Sequence, residues 1–337
     1  MIQHNKPTIG LREALSALRV TWSGLLATGE EVRAFERELS KFLGFNNTVI
    51  LSSGSAALYM ALWAANAKDK TVAIPVYACA ALRNAVQMIG GNIVYVDNKV
   101  NSPNMDVDAL NLLNPDIAII PHMYGIPAEI YKVKKGIFVI EDCAQSLGAF
   151  SEGSLVGLLG DVSIFSFYAT KLITSGGHGG AIASRNSSLL QEVRDYREFD
   201  GRRDDKSRFN FKITDLQAAI GRTQLKRISS FIIKRESIFQ KYLAQGWNLL
   251  DKEHTDDLPV RYRAVLNTLE PNVIREKLAI RGISCIVPLN DWELLSHKCE
   301  NFINAYQLCN TSLSLPIYPS LSTSQVSFII DNLNQVI

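Results

Sequence analysis

A single lysine, Lys171, stands where an apolar run meets a cluster of glycines. The run is DVSIFSFYAT (161–170), and SGGHGG (175–180) follows the lysine after three residues. A lysine held away from water has a lowered pKa, which makes its amine a usable nucleophile toward a carbonyl carbon. This setting favours a lysine that forms a Schiff base over the exposed lysine that is the usual fate of the residue.

An acidic residue at the end of another apolar run supplies the second half of this chemistry. Asp142 ends IFVIED (137–142), a run typical of buried strands. A pyridoxal phosphate site needs a lysine amine for the cofactor's aldehyde and a carboxylate that keeps its pyridine nitrogen protonated. Lys171 and Asp142 therefore predict an enzyme that uses pyridoxal 5'-phosphate (PLP). In the alternative, Lys171 is a lysine at the edge of the core and no cofactor binds.

Small residues mark two places that suit the cofactor's phosphate. SSGSAAL (52–58) joins a predicted strand to a predicted helix, and helix N-termini favour anions, so Gly54 and Ser55 are candidates. Ser166 alternates with Phe165 and Phe167, and its hydroxyl is expected near Lys171. An ordinary helix cap and a buried serine bonded to backbone remain the alternatives.

Two histidines lie near the predicted site. His122, in PHMYG (121–125), and Tyr124 follow a strand end, where ligands gather in α/β sheets; a structural histidine is the competing interpretation. His178 in the glycine cluster is similarly open. The five cysteines lack the spacing of metal ligands, so no metal is predicted.

The charge and composition of the 337-residue chain argue against several classes of function. The net charge is only +2, which gives no electrostatic reason to expect nucleic acid or an anionic membrane as a partner. An odd number of cysteines fits reduced thiols. The N-terminus lacks a signal-peptide pattern, and no run approaches the roughly 20 apolar residues of a membrane helix. A soluble, cytoplasmic protein is expected.

Strand-like runs alternate with helical patterns through the first two thirds of the chain. The predicted strands are 49–53, 71–75, 93–97, 116–121, 137–142, 162–167 and 180–184. Their length and their β-branched, apolar composition predict an α/β fold with a mostly parallel central sheet covered by helices.

The pattern changes after Gly201. A long helical pattern covers 215–245, and short strands and a helix follow at 261–267, 271–281 and 283–289. We predict a large PLP-binding domain over 1–235, which includes the N-terminal segment, and a smaller C-terminal α+β domain over 236–337.

Five ordered motifs resemble the DegT/DnrJ/EryC1/StrS family of aminotransferases. The motifs, within residues 29–322, are SSGSAALYMAL, PHMYG, VIEDCAQSLGA, GDVSIFSFYATK and FNFKITDLQAAIGRTQLKR. Members are fold-type-I PLP enzymes, and most act on keto sugars linked to nucleotides. The resemblance implies this fold, with a large and a smaller C-terminal domain.

The resemblance also implies roles for the residues around the cofactor ring. Lys171 matches the Schiff-base lysine, and Asp142 matches the carboxylate on the pyridine nitrogen. Gln145 matches a residue near the cofactor's phenolic oxygen. Cys79 occupies the position of an aromatic ring that usually lies against the cofactor, and Tyr77 is an alternative for that ring.

The remaining matches concern the phosphate and the assembly. Gly54, Ser55 and Ser166 match phosphate-binding positions, and Asn210 matches an asparagine that serves the neighbouring subunit's phosphate. The resemblance therefore implies a homodimer with shared sites. The chain departs from the family at Lys212, which replaces an arginine, and in GISCIVPLNDW (282–292), which lacks a histidine often found near substrate.

Together these features predict a transaminase. We expect it to move an amino group from an amino acid, glutamate being usual in the family, to a keto sugar linked to a nucleotide. Two alternatives stay open within the family: a PLP-dependent enzyme with a non-sugar substrate, and a silent PLP-binding protein that serves in regulation or assembly.

Overall fold

The apolar runs form strands and the periodic segments form helices in the computed structural model, which describes residues 1–250 and 257–337. The helices are α1 Leu11–Ser23, α2 Glu30–Leu43, α3 Gly54–Ala64, α4 Ala81–Ile89, α5 Val107–Leu113, α6 Ser187–Arg197, α7 Asp215–Leu225, α8 Ile228–Leu243, α9 Pro271–Ile280, α10 Ile303–Thr311 and α11 Thr323–Leu333. The strands are β1 Thr48–Leu51, β2 Thr71–Pro75, β3 Asn92–Val96, β4 Ile117–Pro121, β5 Phe138–Asp142, β6 Phe150–Ser151, β7 Ser154–Leu155, β8 Val162–Ser166, β9 Gly180–Ala183, β10 Ala264–Asn267 and β11 Ser312–Leu315. Short 3₁₀ turns lie at Met123–Gly125, Ile130–Lys132, Asp291–Glu293 and Cys299–Asn301. Within the described ranges, none of the helices has both the length and the apolar composition to cross a bilayer.

One large sheet carries the site. Its order is β1-β9-β8-β5-β4-β2-β3, and β3, β2, β4, β5 and β8 run parallel while β9 is antiparallel to both neighbours. This confirms the predicted α/β fold with a mostly parallel sheet. Because parallel strands end at the same edge, Pro121 on β4 pairs with Asp142 on β5, and Asp142 pairs with Ile164 on β8.

Both faces of the sheet are covered by apolar layers. Successive residues of β1 alternate between them: Val49 and Leu51 join the layer beneath α3, and Ile50 joins the layer beneath α2. Such two-sided burial explains why these strands read as continuous apolar runs rather than as alternating ones.

A second core lies in the C-terminal part. The antiparallel pair β10–β11 packs with α9 and α11, and Ile2 from the N-terminus joins the same core. Helix α8 reaches both cores: Phe231 packs against the layer beneath α2, and Phe239 packs in the second core. The predicted domain boundary at 235/236 falls between these two residues and stays a prediction.

Two predicted elements were wrong in detail. The helical pattern over 215–245 forms two helices, since the chain turns at Lys226 and Arg227, where the Arg227 guanidinium donates to the buried Glu13 carboxylate at 2.6 Å. The predicted strand over 283–289 makes only isolated β-bridges, one of them between Ile286 and Ser314. Pro288 in this segment has no N–H for a continued ladder.

Candidate active site

A cavity of about 340 Å³ opens at the carboxyl ends of β4, β5 and β8, beside the start of α3. It brings together most of the residues predicted to hold the cofactor: Gly54, Ser55, Cys79, Asp142, Gln145, Ser166 and Lys171. Asn210 is exposed and does not line this cavity.

Lys171 sits in a tight loop between β8 and β9. Its backbone N–H donates to the Tyr168 carbonyl at 2.9 Å, and the Ala169 N–H donates to the Gly177 carbonyl at 3.0 Å, which closes the loop. The N-terminal segment braces the same loop, because the Asn5 side chain donates to the Thr170 carbonyl at 2.9 Å. The loop that carries the half-buried lysine is thus held by its own backbone bonds and by the N-terminal segment.

Asp142 lies at the floor of the cavity and is 7% exposed. Burial raises the pKa of its carboxyl above the ordinary value, although the Ala144 N–H bond at 2.9 Å and the charge of Lys171 act in the opposite direction. Among the residues that the structure describes, only this N–H donates to the carboxylate. The remaining acceptor capacity suits a cationic N–H such as that of a protonated pyridine.

The preceding residue, Glu141, has the opposite environment. Its carboxylate accepts from His122 Nε2 at 3.0 Å and from the N–H groups of Gly157, Leu159 and Gly160 at 2.6, 3.1 and 2.9 Å. Burial raises the pKa of Glu141, but the bonds from His122 and the backbone outweigh it and lower the pKa below the usual value. Glu141 is therefore a buried structural anion.

His122 is a structural residue as well. Its Nδ1 accepts the Ala128 N–H at 2.8 Å, so the ring proton lies on Nε2, which donates to Glu141. Ligand atoms of His122, Glu141 and Cys143 lie within 4.8 Å of one another, the spacing of a metal site. Both ring nitrogens are already used in hydrogen bonds, which explains the cluster without a metal.

The start of α3 forms another part of the cavity wall. Ser53 caps the helix by accepting the Ala56 N–H at 3.0 Å, and the first N–H groups, at Gly54 and Ser55, have no acceptor within the helix. A Cβ on Gly54 would come within 2.8 Å of the Ser166 Cβ. The missing side chain thus opens a cradle of N–H and hydroxyl groups that fits a phosphate.

A strained turn orients Gln145. Tyr124 is buried with φ of 62°, a region unusual for a bulky residue, and its N–H donates to Gln145 Oε1 at 2.8 Å. Because Oε1 is used as an acceptor, the amide of Gln145 is left with its NH₂ group as the donor. This arrangement suits an oxygen of a bound cofactor.

The two alternatives for the position of the aromatic ring take different places. Tyr77 is fully buried, and its hydroxyl lies 2.5 Å from the Tyr124 hydroxyl. It does not line the cavity, whereas Cys79 does. Of the two, only the cysteine is part of the wall; the tyrosine that lines this cavity is Tyr168.

A second cavity of about 580 Å³ adjoins the first and shares Lys171, Gln145, Cys79 and Met123 with it. It adds residues that sequence reasoning missed: Arg83, Tyr262, Arg263, Trp292, Glu293 and His297. The only local signal was RYR before the strand-like AVLN. Each of these residues lies more than eighty positions from Lys171 in the sequence, so spacing could not place them beside it.

Two further residues named from the sequence are His178 and Lys212, and neither lies deep in a cavity. His178 is exposed at the rim of the first cavity, with its ring 5.4 Å from that of Tyr168. Lys212, at the position of the family's arginine, pairs with Glu198 at 2.7 Å.

Known proteins resemble this chain over nearly its whole length. GDP-perosamine synthase of Caulobacter vibrioides is 28% identical over 354 residues, which cover 96% of this chain and 94% of that protein. Helicobacter pylori PseC, an aminotransferase involved in the biosynthesis of pseudoaminic acid, superposes with a TM-score of 0.90 at 22% identity, covering 99% and 98% of the two chains. Streptococcus pneumoniae Spr1654, solved in a PLP form, also has a TM-score of 0.90, at 23% identity and the same coverage.

The family prediction is confirmed by a match that extends over residues 7–334. The five motifs named from the sequence all fall within that range. The chain belongs to the DegT/DnrJ/EryC1/StrS aminotransferase family.

Proposed function

We propose that the protein is a PLP-dependent aminotransferase that moves an amino group from an amino acid, with glutamate as the first candidate, to a keto sugar linked to a nucleotide. The observation that carries this proposal is one cavity lined by both Lys171 and Asp142, with the cradle at Gly54 and Ser166 on its wall. The family and the PLP form of a structural neighbour support the cofactor.

The residues present fit PLP at each of its functional groups. Asp142 would hold the ring nitrogen, Gln145 the phenolic oxygen, and Gly54, Ser55 and Ser166 the phosphate. Bound there, PLP supplies a ring that accepts electrons from the α carbon of the amino acid. The charge of Asp142 favours the protonated ring nitrogen on which that chemistry depends.

Lys171 has two tasks in this proposal. Its amine would hold the cofactor through the aldehyde carbon, and as a free amine it would move a proton at the α carbon of the amino acid. Its Nζ lies 5.4 Å from the centre of the Tyr262 ring, which lines the second cavity beside it.

The second cavity supports a large acceptor. Its volume of about 580 Å³ exceeds that of the first, and Arg83 and Trp292 on its walls offer a cation and an aromatic surface. A nucleotide carries phosphates and a base that suit these two groups. The name of the relative GDP-perosamine synthase supports a nucleotide-linked sugar.

A homodimer with shared sites is part of the proposal. Leu11, Leu15, Leu18 and Trp22 form a stripe on one face of α1 at spacings of four, three and four, and Trp22 is 90% exposed. We call these four residues the α1 stripe. A stripe of this kind is typical of an interface, and Asn210, exposed outside its own chain's cavity, is available to a partner's site.

We place the protein in the cytoplasm. The Cys79, Cys143 and Cys285 thiols form no disulfide among the described residues, as expected in a reducing compartment. Cell fractionation followed by immunodetection tests this; recovery in the periplasmic fraction would contradict it.

Borohydride trapping tests the central step. Reduction of PLP-loaded protein, followed by peptide mapping, is expected to label Lys171 alone and to leave Lys171→Arg unlabelled. Lys226→Arg, at an exposed lysine, is the matched control and should keep the label.

An activity assay tests the reaction itself. The PLP-loaded protein should convert glutamate to 2-oxoglutarate and should then aminate nucleotide-linked keto sugars. Labelling of Lys171 without conversion of any amino acid would indicate a silent PLP-binding protein. If only non-sugar acceptors are aminated, the proposed sugar substrate is wrong.

A further inference from the structure

Arg263 lies close to the reactive lysine without belonging to the cofactor site. It precedes β10, and its guanidinium carbon lies 5.7 Å from the Tyr124 ring centre and 5.6 Å from the Tyr262 ring centre. Lys171 Nζ is 5.4 Å from that same Tyr262 ring. The two side chains therefore contact the same aromatic ring, and both line the second cavity.

Among the described residues, Arg263 has no acid at ion-pair distance. Within residues 1–250 and 257–337, no carboxylate oxygen lies within 4.0 Å of its guanidinium, whereas Arg197, Arg222 and Arg227 each pair with a glutamate. In the described part of the chain, its Nη1 makes only long contacts of 3.4 Å, to His4 and Ser314, and its buried Nε has no partner. These described partners leave most of its hydrogen-bond donors unused.

The surroundings add the positive charge of Arg235. Glu293 also lines the second cavity, where its carboxylate accepts the backbone N–H and the side-chain amide of Asn290 at 2.9 and 2.8 Å. Arg235 is fully buried nearby and donates to the carbonyls of Arg261, Tyr262 and Ile317 at 3.2, 3.2 and 2.8 Å. Burial, together with the charges of Arg263 and Arg235, lowers the pKa of His4 to about 3, so its imidazole stays neutral. Such a cluster attracts an anion, and a partly desolvated arginine binds a carboxylate in the fork geometry.

We infer, on the basis of the proposed transaminase activity, that Arg263 binds a carboxylate of the amino donor. The donor's amine must reach Lys171, and an amino acid bears its α-carboxylate on the carbon next to that amine. Arg263 is the arginine that shares the Tyr262 ring with Lys171. Arg83, on α4 in the same cavity, also has no acid within 4.0 Å among the described residues, and it is the alternative that the test must separate.

Glutarate, a dicarboxylate without an amine or keto group, is the probe, and its uncharged diamide is the matched control. Binding is measured by calorimetry on the full-length chain, with and without PLP. We expect wild type to bind glutarate and not the diamide. Arg263→Met and Arg263→Gln should weaken glutarate binding at least about tenfold, Arg263→Lys should retain part of it, and Arg83→Met should change it less than about threefold.

Kinetics provide an independent measurement. In Arg263→Gln the KM for glutamate should rise at least about tenfold with a smaller change in kcat, while borohydride still labels Lys171. The inference is overturned if wild type does not bind glutarate, if both neutral Arg263 variants bind it within about twofold of wild type, or if only Arg83→Met loses it. If glutarate binding depends on Arg263 but Lys171 carries no label in wild type, the carboxylate site stands and the proposed function falls.

Discussion

At the scale of single residues, two adjacent acids have opposite roles because their donors differ. Glu141 accepts four hydrogen bonds from the protein, and Asp142 accepts one from among the described residues. A buried carboxylate whose oxygens all accept hydrogen bonds from the protein stabilises the fold. One that is buried with acceptors to spare is held ready for a ligand, and its charge destabilises the protein until that ligand arrives.

Replacing Asp142 by Asn tests this trade between stability and function. The raised pKa means that the folded protein binds a proton more tightly than the unfolded chain does. The stability of cofactor-free wild type therefore falls as pH rises from 3.8 through the folded pKa and stays lower above it. At neutral pH, cofactor-free Asp142→Asn should melt at or above the wild-type temperature in calorimetry.

The same substitution should damage the chemistry. Asp142→Asn removes the negative charge that would lie beside the ring nitrogen. The half-reaction with glutamate should therefore slow by about 10²-fold or more, and PLP should stabilise the variant less than it stabilises wild type. Stopped-flow absorbance and melting with PLP measure the two effects. Wild-type rates in the variant would remove Asp142 from the mechanism.

Glu141→Gln is expected to destabilise the fold instead. The new NH₂ group would face a cluster of N–H donors, at a cost of about 3 kcal/mol in the free energy of unfolding. Because the pKa of Glu141 is lowered, its contribution is present above pH 4.5 and is lost as pH falls through the folded pKa. In urea unfolding, the difference in the free energy of unfolding between wild type and Glu141→Gln should decrease below pH 4.5. Glu129→Gln, at a surface pair, should cost under about 1 kcal/mol and is the control; equal losses in both variants would refute the buried role.

At the scale of elements, the turn at Met123–Gly125 joins the parts that form the site. The Tyr124 N–H orients Gln145, and the carbonyls of Tyr124 and Gly125 accept the N–H groups of Arg263 and Val260 at 3.3 and 3.1 Å. One turn therefore links the cofactor cavity to the segment that leads into β10. Its strain is tolerated because contacts on both sides hold it.

Gly125→Ala should break this junction, and Gly136→Ala provides a matched control. Both glycines have positive φ, 82° and 102°, so both variants are strained. A Cβ on Gly125 would also lie 2.8 Å from Val260 and 3.0 Å from the Tyr262 nitrogen, whereas one on Gly136 would meet nothing within 4 Å. We expect Gly125→Ala to lose about 1–3 kcal/mol more than the control in urea unfolding and to bind PLP more weakly. Similar stability and PLP affinity in the two variants would argue against a role for this turn.

At the scale of the whole molecule, the proposed site is divided between two chains. The α1 stripe is a surface that a single chain leaves in water, and Asn210 lies outside its own chain's cavity. Analytical ultracentrifugation should show a dimer, and Leu15→Asp with Trp22→Asp should shift it toward monomer with loss of activity.

Mixing two inactive variants tests whether the sites are shared. In a heterodimer of Lys171→Ala and Asn210→Asp, one site carries both changes and the other carries neither, so refolded mixtures should recover roughly a quarter of wild-type activity. A mixture of Lys171→Ala with Asp142→Asn is the control, because both residues belong to the same chain's cavity, and it should stay inactive. No recovery in the first mixture would place Asn210 in its own chain's site or outside the site.

Local patterns were enough to predict the sheet and five of the residues that line the first cavity. Strand runs reflect burial on two faces, a small-residue segment marks the start of α3, and glycines mark the loop after Lys171; each depends on residues close together in the chain. The five motifs then indicated the family. The placement of Gly54 against Ser166 at the edge with Asp142 follows from parallel strands that end at one edge.

Only the tertiary structure decided which polar groups meet. Periodicity predicts the face on which a side chain lies but not the partner that it meets. It therefore could not show that the Tyr77 hydroxyl meets that of Tyr124, or that backbone N–H groups within 157–160 donate to the Glu141 carboxylate. The surroundings of Arg263 come from three distant segments, at His4, Tyr124 and Ser314. Whether a charge is paired or left available depends on how those segments pack, because hydrogen-bond satisfaction in a core is a property of the assembled neighbours.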